Sequence, residues 1–295
     1  MQLDHDVCYR ALETRDARFD GRFFIGVKTT GIYCRPICPA MRPKRKNCVF
    51  LPCAAAAQEA GFRPCLRCRP EAAPGTPAWN GTSTTVTRAL RLIEDGALDR
   101  EGVPELATKL GVGERHLRRL FSTHLGASPL SVAHTRRLLF AKKLIDETAL
   151  PMTELAQAAG FGSLRRFNGA IQETYGRSPS ALRKHSSAEQ ATRGDGATAL
   201  RLRLGHRAPL DWDALVGFLA TRAIPGVEEV REGRYLRTFR TAHGHGVMEV
   251  ARVDGNQTKA RASDGSFLDA RFWLPSAAPL GEIHDRLRRL FDLSA

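Results

Sequence analysis

The sequence predicts a multidomain α+β chain: a small α/β domain, an all-α domain of two helix-turn-helix units, and a C-terminal α+β domain. Three observations carry that prediction. Two stretches read as linkers: "AAPGTPAWNGTST" (72–84), rich in Gly, Pro, Ser and Thr, and "SSAEQATRGDGA" (186–197), polar with two glycines. They set domains near 1–73, 84–185 and 198–295. Across the middle part, in "VTRALRLIEDGAL" and "VAHTRRLLFAKKLIDETAL", apolar residues recur at spacings of three and four, the period of a helix. That part also repeats itself about 49 residues on, where "VPELATKLGVGERHLRRLFSTHLGASP" (103–129) matches "PMTELAQAAGFGSLRRFNGAIQETYGRSP" (151–179). Each copy reads as a short helix, a Gly-x-Gly turn, a basic helix and Gly-x-Ser-Pro.

The first domain opens with a helix near 6–14. "GRFFIGV" is a strand, "KTTGIYC" a turn and "NCVFL" a second strand. "PCAAAAQEAGF" is a helix with Pro52 at its start and Gly61 at its end. In the third domain "ALRLRL" alternates as a strand does, and "DWDALVGFLATRA" is a helix capped by Asp211. "VEEVREGRYLRTFRT" reads as a hairpin turning at Glu232 and Gly233, and "GVMEVARVDGNQTKARAS" as another turning near Asp254 and Gly255. "PLGEIHDRLRRLFDL" closes the chain as an amphipathic helix.

Charge narrows the partners. The 45 Lys and Arg exceed the 31 Asp and Glu, a net charge of +14, which favours polyanions such as nucleic acid or an anionic membrane. Residues 1–75 hold 13 basic and 7 acidic side chains, 76–185 hold 16 and 10, and 186–295 hold 16 and 14. The polyanion-binding surface is therefore expected mainly in the first two thirds. The sequence has no apolar run of about 18 residues, so no transmembrane helix is expected, and nucleic acid rather than a membrane is the expected partner. The start, "MQLDHDVCYR", is acidic where a signal peptide is basic and apolar, so a cytoplasmic protein is expected. There, clustered cysteines more often hold metal than form disulfides.

Cys34 and Cys38 form a Cys-x3-Cys pair, and Cys65 and Cys68 a Cys-x2-Cys pair 26 residues on. Each pair turns two sulfurs toward one point. Four thiolates are the ligand set of a tetrahedral Zn2+ site, with bonds near 2.3 Å. Cys8, Cys48 and Cys53 are unpaired and are expected to be packing thiols. Thr29, Thr30, Arg35, Arg63, Arg67 and Arg69 flank the pairs, as suits a site brought against a phosphate backbone.

At this point a family becomes legible. "TTGIYCRPIC" with "GFRPCLRC" resembles the methyl-accepting N-terminal domain of the Ada alkylation-response family, over most of residues 4–71. The resemblance implies that Cys34 takes a methyl from a methylated DNA phosphate and that Cys38, Cys65 and Cys68 complete the zinc ligands. It implies backbone contacts from Thr30 and Arg63. The family's other basic contacts fall on Pro39 and Met41, which cannot supply them; Lys44, Arg45 and Lys46 are the candidates to substitute.

The middle domain resembles the AraC-family DNA-binding domain over most of 84–185, and "AQAAGFGSLRRFNGAIQETYGRSPSALR" follows that family's second unit. Two such units joined by a long helix can put two recognition helices in successive major grooves of double-stranded DNA. The candidates are 114–124, with Arg115, His116, Arg118 and Arg119, and 163–174, with Ser163, Arg165, Arg166 and Asn168. Leu117, Leu120, Phe121, Phe167 and Ile171 are assigned to the core face.

Residues 198–295 resemble the N-terminal domain of the AlkA 3-methyladenine DNA glycosylase family, through "DWDALVGFLATRAIPGVEEV", "YLRTFRT" and "LRRLFDL". In that family catalysis belongs to a following helix-hairpin-helix domain with an essential Asp. The expectation is that the sequence stops at Ala295 before such a domain, as a piece of a longer glycosylase or a form that has lost it. Asp292 is assigned to capping or solvation. No Pro-Cys-His-Arg acceptor is present, so O6-methylguanine repair is not expected.

The leading reading is thus a zinc-dependent suicidal methyl acceptor and transcription activator, with alkylated DNA, promoter sites and RNA polymerase as partners. The runner-up is the regulatory and accessory part of a 3-methyladenine glycosylase. The third is a zinc-containing transcription factor without chemistry.

Overall fold

A computed structural model describes residues 4–74, 84–183, 191–192, 198–253 and 266–293. Helix α1 (His5–Thr14) starts where Asp4 accepts hydrogen bonds from the amides of Asp6 and Val7, and it buries Cys8, Ala11 and Leu12. A four-stranded sheet follows, in the order β3-β1-β2-β4. Central β1 (Phe24–Val27) pairs antiparallel with β2 (Ile32–Cys34) and β3 (Cys48–Leu51); β4 (Arg63–Pro64) adds parallel to β2. Alternation along β1 sends Ile25 to the core under α1, and Phe24 to a second core with Tyr33, Ala54 and Ala57.

Three details depart from expectation. "KTTGIYC" is a turn only in its first half, because residues 32–34 form β2. β4 is two residues long, too short for any periodicity to announce it. Helix α2 (Ala54–Glu59) has Cys53 as its cap, with the sulfur accepting from the amide of Ala56 at 3.4 Å, so Pro52 lies before the cap rather than at the first helical position.

The middle of the chain is helical as expected: α3 (Thr84–Glu94), α4 (Ala97–Arg100), α5 (Val103–Lys109), α6 (Glu114–Leu125), α7 (Pro129–Glu147), α8 (Met152–Ala158), α9 (Leu164–Tyr175) and α10 (Pro179–Arg183). The sequence repeat is structural. Gly111 and Gly160 follow the first helix of each copy at φ 69° and 80°, and Gly126 and Gly176 close the second at 64° and 65°. These are left-handed conformations that glycine adopts without a Cβ penalty. Ser128 and Ser178 then accept from the amides of Ser131 and Ala181, and Pro129 and Pro179 start the next helix.

The C-terminal sheet has six strands in the order β5-β6-β10-β9-β8-β7: β5 (Ala191–Thr192), β6 (Thr198–His206), β7 (Glu228–Arg231), β8 (Arg234–Thr241), β9 (Gly244–Arg252) and β10 (Ser266–Trp273). α11 (Trp212–Ala220) and α12 (Leu280–Leu290) accompany it, and Asp211 caps α11 through the amide of Ala214. The β7–β8 hairpin turns at Glu232 and Gly233, whose φ values of 53° and 69° suit a two-residue hairpin turn. A further hairpin joins β8 to β9 at residues 242–243, where the sequence carries no turn signal of its own before Gly244. The turn expected near Asp254 and Gly255 lies outside the described residues, as does most of the first linker. The second stretch taken as linker contains β5, paired with β6. Among the described residues, no helix is long and apolar enough to cross a membrane.

The cores do not respect the linkers. The first helix-turn-helix unit shares one core with Cys53, Ala55 and Ala56 of the N-terminal part. The second unit shares another with the C-terminal sheet, through residues such as Leu144, Phe167, Leu202, Leu268 and Leu287. Helix α7 runs through both, with Ala133 in the first and Leu138, Ala141, Leu144 and Ile145 in the second. Partly buried ion pairs seal the seams. Arg69 meets Asp146 and Glu147 at the end of α7, each at 3.2 Å. Arg136 of α7 meets Asp285 of α12 at 2.6 Å.

Candidate metal centre and nucleic-acid interface

β2 ends at Cys34, and a turn closed by the Cys38 amide on the Arg35 carbonyl (3.1 Å) brings the second sulfur around. β4 lies parallel to β2, and the Cys65 amide donates to Tyr33 O at 3.0 Å, which places the second pair beside the first. The Arg69 amide donates to Cys65 O at 3.2 Å and turns Cys68 inward. All four sulfurs lie within 4.8 Å of one another. Thiolates on tetrahedral arms of about 2.3 Å sit roughly 3.8 Å apart, so the donor set fits Zn2+. Hydrogen bonding among the sulfurs pushes Cys34 and Cys68 up and holds Cys38 and Cys65 down, because thiols this close together compete for the same protons. That is one shared cluster rather than four separate thiols. Cys38, Cys65 and Cys68 are buried, and Cys34 alone is partly open to solvent.

The remaining cysteines are packing groups. Cys8, Cys48 and Cys53 are buried in apolar clusters. Burial pushes the Cys8 and Cys53 thiols up to about 11 and raises Cys48 as well, so none is poised to react.

Thr30 is exposed in the β1–β2 turn, and Arg63 is exposed on β4, its amide bonded to Gly31 O at 2.8 Å. They flank the strand that delivers Cys34. Arg67 is exposed as well. Two flanking arginines do not face outward. The Arg35 guanidinium is buried against Asp20, and Arg69 is bound to Glu71, Asp146 and Glu147. The sequence pattern places both among the phosphate-facing residues; the structure turns them onto carboxylates instead. Met41 is 93% exposed between the exposed Pro39 and Arg42, and Arg45 pairs with Asp6, leaving Lys44 and Lys46 as the exposed lysines of that loop.

In α6 and α9 the faces separate as expected. Leu117, Phe121, Phe167 and Ile171 are fully buried, and Leu120 is partly buried against the same core. Arg115, Arg118, Arg119, Arg165, Arg166 and Asn168 are exposed. Arg118 is engaged by Glu114 one turn earlier at 2.5 Å, and Arg119 approaches Nδ1 of His116 at 3.1 Å. Ser163 is a helix cap, accepting from the Arg166 amide at 3.3 Å. Asp292 is exposed beyond the end of α12.

Sequence reasoning missed Asp20 and Glu147. Asp20 is 3% exposed and holds the Arg35 guanidinium. Glu147 accepts from Lys143, Arg69 and the amide of Arg203. Neither sits in a motif; their partners come from distant chain, so no local signal existed.

Comparison with known proteins agrees with this layout. Residues 7–71 match the family described as the metal binding domain of Ada, 106–185 a helix-turn-helix domain, and 201–295 the AlkA N-terminal domain. The chain is 44% identical over 297 residues to the probable bifunctional transcriptional activator/DNA repair enzyme AlkA of Mycobacterium tuberculosis (strain ATCC 25618 / H37Rv), covering 100% of this chain and 57% of that protein. It is 34% identical over 176 residues to the bifunctional transcriptional activator/DNA repair enzyme Ada of Escherichia coli (strain K12), covering 59% of this chain and 48% of that protein. The chain therefore spans about half the length of these relatives. A crystal structure of the methylated N-ADA/DNA complex aligns at 34% identity over 44% of this chain and 96% of that one, with a TM-score of 0.24.

Proposed function

We propose, for a chain that joins an Ada zinc-binding domain, an AraC-type helix-turn-helix domain and an AlkA N-terminal domain, that it is a sensor of alkylated DNA. It takes a methyl group from a DNA methylphosphotriester onto Cys34 and regulates transcription from sites bound by α6 and α9. The observation that supports this most is the cysteine cluster: four sulfurs within 4.8 Å, of which only Cys34 is reachable from solvent.

The chemistry follows from the residues. Cys34, Cys38, Cys65 and Cys68 would hold Zn2+, which keeps the sulfurs ionised at neutral pH, where a free thiol near pKa 8.5 is mostly protonated. Four thiolates on a divalent cation carry a formal charge of −2, so the Cys34 sulfur retains electron density. It attacks the methyl carbon in line. The S–C bond forms, the C–O bond breaks, and the electron pair leaves with a phosphodiester anion, so no general acid is required. The product is a thioether with no leaving group to reverse it, and each chain acts once. Thr30 and Arg63 bind the flanking phosphates. The exposed arginines of α6 and α9, with Asn168, meet the duplex in its grooves. Activation also calls for contact with RNA polymerase.

The test is mass spectrometry of the zinc-loaded chain after mixing with phosphate-methylated duplex. The expected result is one added CH2 on the peptide carrying Cys34, lost in Cys34→Ala and kept in Cys8→Ala. An unmodified Cys34 in fully zinc-loaded protein refutes the reading. The match of 201–295 to the AlkA N-terminal domain favours a second role, as the accessory part of a base-excision glycosylase. Release of free 3-methyladenine from alkylated DNA is its signature.

A further inference from the structure

The four cysteines are not an isolated knot. The segment that carries the second pair continues into Arg69, whose φ of 53° turns its side chain toward the C-terminal end of α7. There the guanidinium meets Asp146 and Glu147, each at 3.2 Å, and Glu71 at 3.4 Å. Glu147 also accepts from Lys143 at 3.1 Å and from the Arg203 amide of β6 at 2.9 Å, while Lys143 donates to Arg203 O at 2.5 Å. The side chains of Glu147 and Lys143 are 8% and 4% exposed. Charges buried to this degree hold their geometry, because separating any pair leaves an unpaired ion out of water.

A second chain of contacts starts next to the first pair. Tyr33, the neighbour of Cys34, is fully buried and its hydroxyl accepts from Gln58 of α2 at 3.4 Å. The Gln58 amide oxygen accepts from Thr135 of α7 at 2.8 Å. One residue further along α2, Glu59 accepts from the amide of Ser128, the residue that caps α7, at 2.9 Å. The second cysteine segment is thus tied directly to the end of α7, and the first reaches its earlier turns through α2, which also holds its start. That helix packs into the cores of both helix-turn-helix units, so its position sets the spacing of α6 and α9.

We infer that Arg69 and Glu147 are positioning residues that couple the ligation state of the cysteine cluster to the DNA affinity of the helix-turn-helix pair, through α7. This deepens the reading above and rests on its zinc site and its DNA binding. With the metal bound, residues 65–69 are fixed and Arg69 anchors α7. When the cluster is opened, the segment relaxes, the anchor loosens, and the two recognition helices lose their common spacing. Coupling of this kind usually amounts to roughly a 5- to 150-fold change in affinity, and it is reciprocal.

The experiment uses the full chain on an unmethylated duplex at fixed salt, with the protein zinc-loaded or stripped by a chelator. Direct contacts of the first domain are removed by working in a Thr30→Ala, Arg63→Ala background, so that the helix-turn-helix pair dominates binding. The expected result is several-fold or greater weakening on zinc removal, which disappears when Arg69→Gln is added. Arg69→Lys, which keeps the charge but loses the fork that reaches both carboxylates, restores only part of it. Glu147→Gln cuts the same link from the other side and covers the case in which an Arg69 variant folds poorly. Binding that is indifferent to zinc, or equally zinc-dependent with and without Arg69, overturns the inference. Failure of the functional reading looks different: no variant, loaded or stripped, binds the duplex at all.

Discussion

Asp285 on α12 is the carboxylate that holds the C-terminal domain to α7, and replacing it by Asn is a sharp test of how the domains are joined. Its Oδ2 accepts from Arg136 Nε at 3.1 Å and Nη2 at 2.6 Å, and its Oδ1 takes a third bond from the His284 ring nitrogen at 2.9 Å. Arg136 and Asp285 side chains are 21% and 16% exposed. Unit charges about 4 Å apart at an effective dielectric near 20 attract by about 4 kcal/mol. Breaking a buried pair from one side costs about 3–5 kcal/mol; Arg136 keeps the Glu94 carbonyl at 2.5 Å and Asp99 at 3.7 Å, so the low end applies. Burial pushes the Asp285 carboxyl up, but Arg136 and His284 outweigh it and hold it well below its ordinary value. A depressed carboxylate contributes stability that is present above the unfolded-state pKa, near 4, and is lost as pH falls through the folded value. Asp285→Asn should therefore lose about 3 kcal/mol at pH 7 in urea unfolding, and the gap to wild type should narrow as pH falls below about 4. The exposed Arg118–Glu114 pair is the control, with Glu114→Gln changing stability by less than about 0.5 kcal/mol. If Asp285→Asn costs no more than Glu114→Gln, or if the gap is unchanged in acid, the junction is not an ionic clamp and this reasoning is wrong.

Three further outcomes are expected. On the proposed reading, methylation of Cys34 would take the zinc cluster from −2 to −1; one unit charge about 6 Å from a phosphate at a dielectric near 20 is worth roughly 3 kcal/mol before screening, so methylated protein should bind duplex up to about a hundredfold more tightly at low salt. Superimposed titrations of the two forms at equal salt would contradict this. Arg119→Ala and Arg165→Ala, on the exposed faces of α6 and α9, should each weaken DNA binding and lower the salt slope by about one; unchanged slopes would remove those side chains from the interface. Phe167→Ala empties a fully buried position under α9 and should cost about 3–5 kcal/mol in denaturant unfolding, whereas Asn168→Ala beside it should cost almost nothing.

Much of the site could be read from the chain. The cysteine spacings named the ligand set because two close pairs leave little freedom in where their sulfurs point, and the sulfurs do converge. The Gly-x-Gly and Gly-x-Ser-Pro signatures marked both helix-turn-helix units because the first glycine of each Gly-x-Gly and the glycine of each Gly-x-Ser-Pro occupy left-handed positions that close helices. Glu232 and Gly233 marked a hairpin for the same reason. β4 was invisible because a two-residue strand has no period, and its existence depends on β2 lying beside it. Arg35 and Arg69 looked like phosphate contacts because sequence shows a charge but not the acid that will face it; Asp20, Asp146 and Glu147 decided the matter.

By itself the sequence determined the local structures and the chemistry they can carry: the ligand spacing, the helix ends, the apolar faces, and the basic surplus in the first two thirds. These are properties of residues a few positions apart, governed by backbone geometry and periodicity. Only the tertiary structure decided that three apparent domains share two cores strung along α7, that Cys34 is the open member of its cluster, and which charges are internal. Those outcomes depend on groups distant in the chain meeting in low-dielectric surroundings, where a partner's arrival changes a side chain from a surface charge into a structural tie.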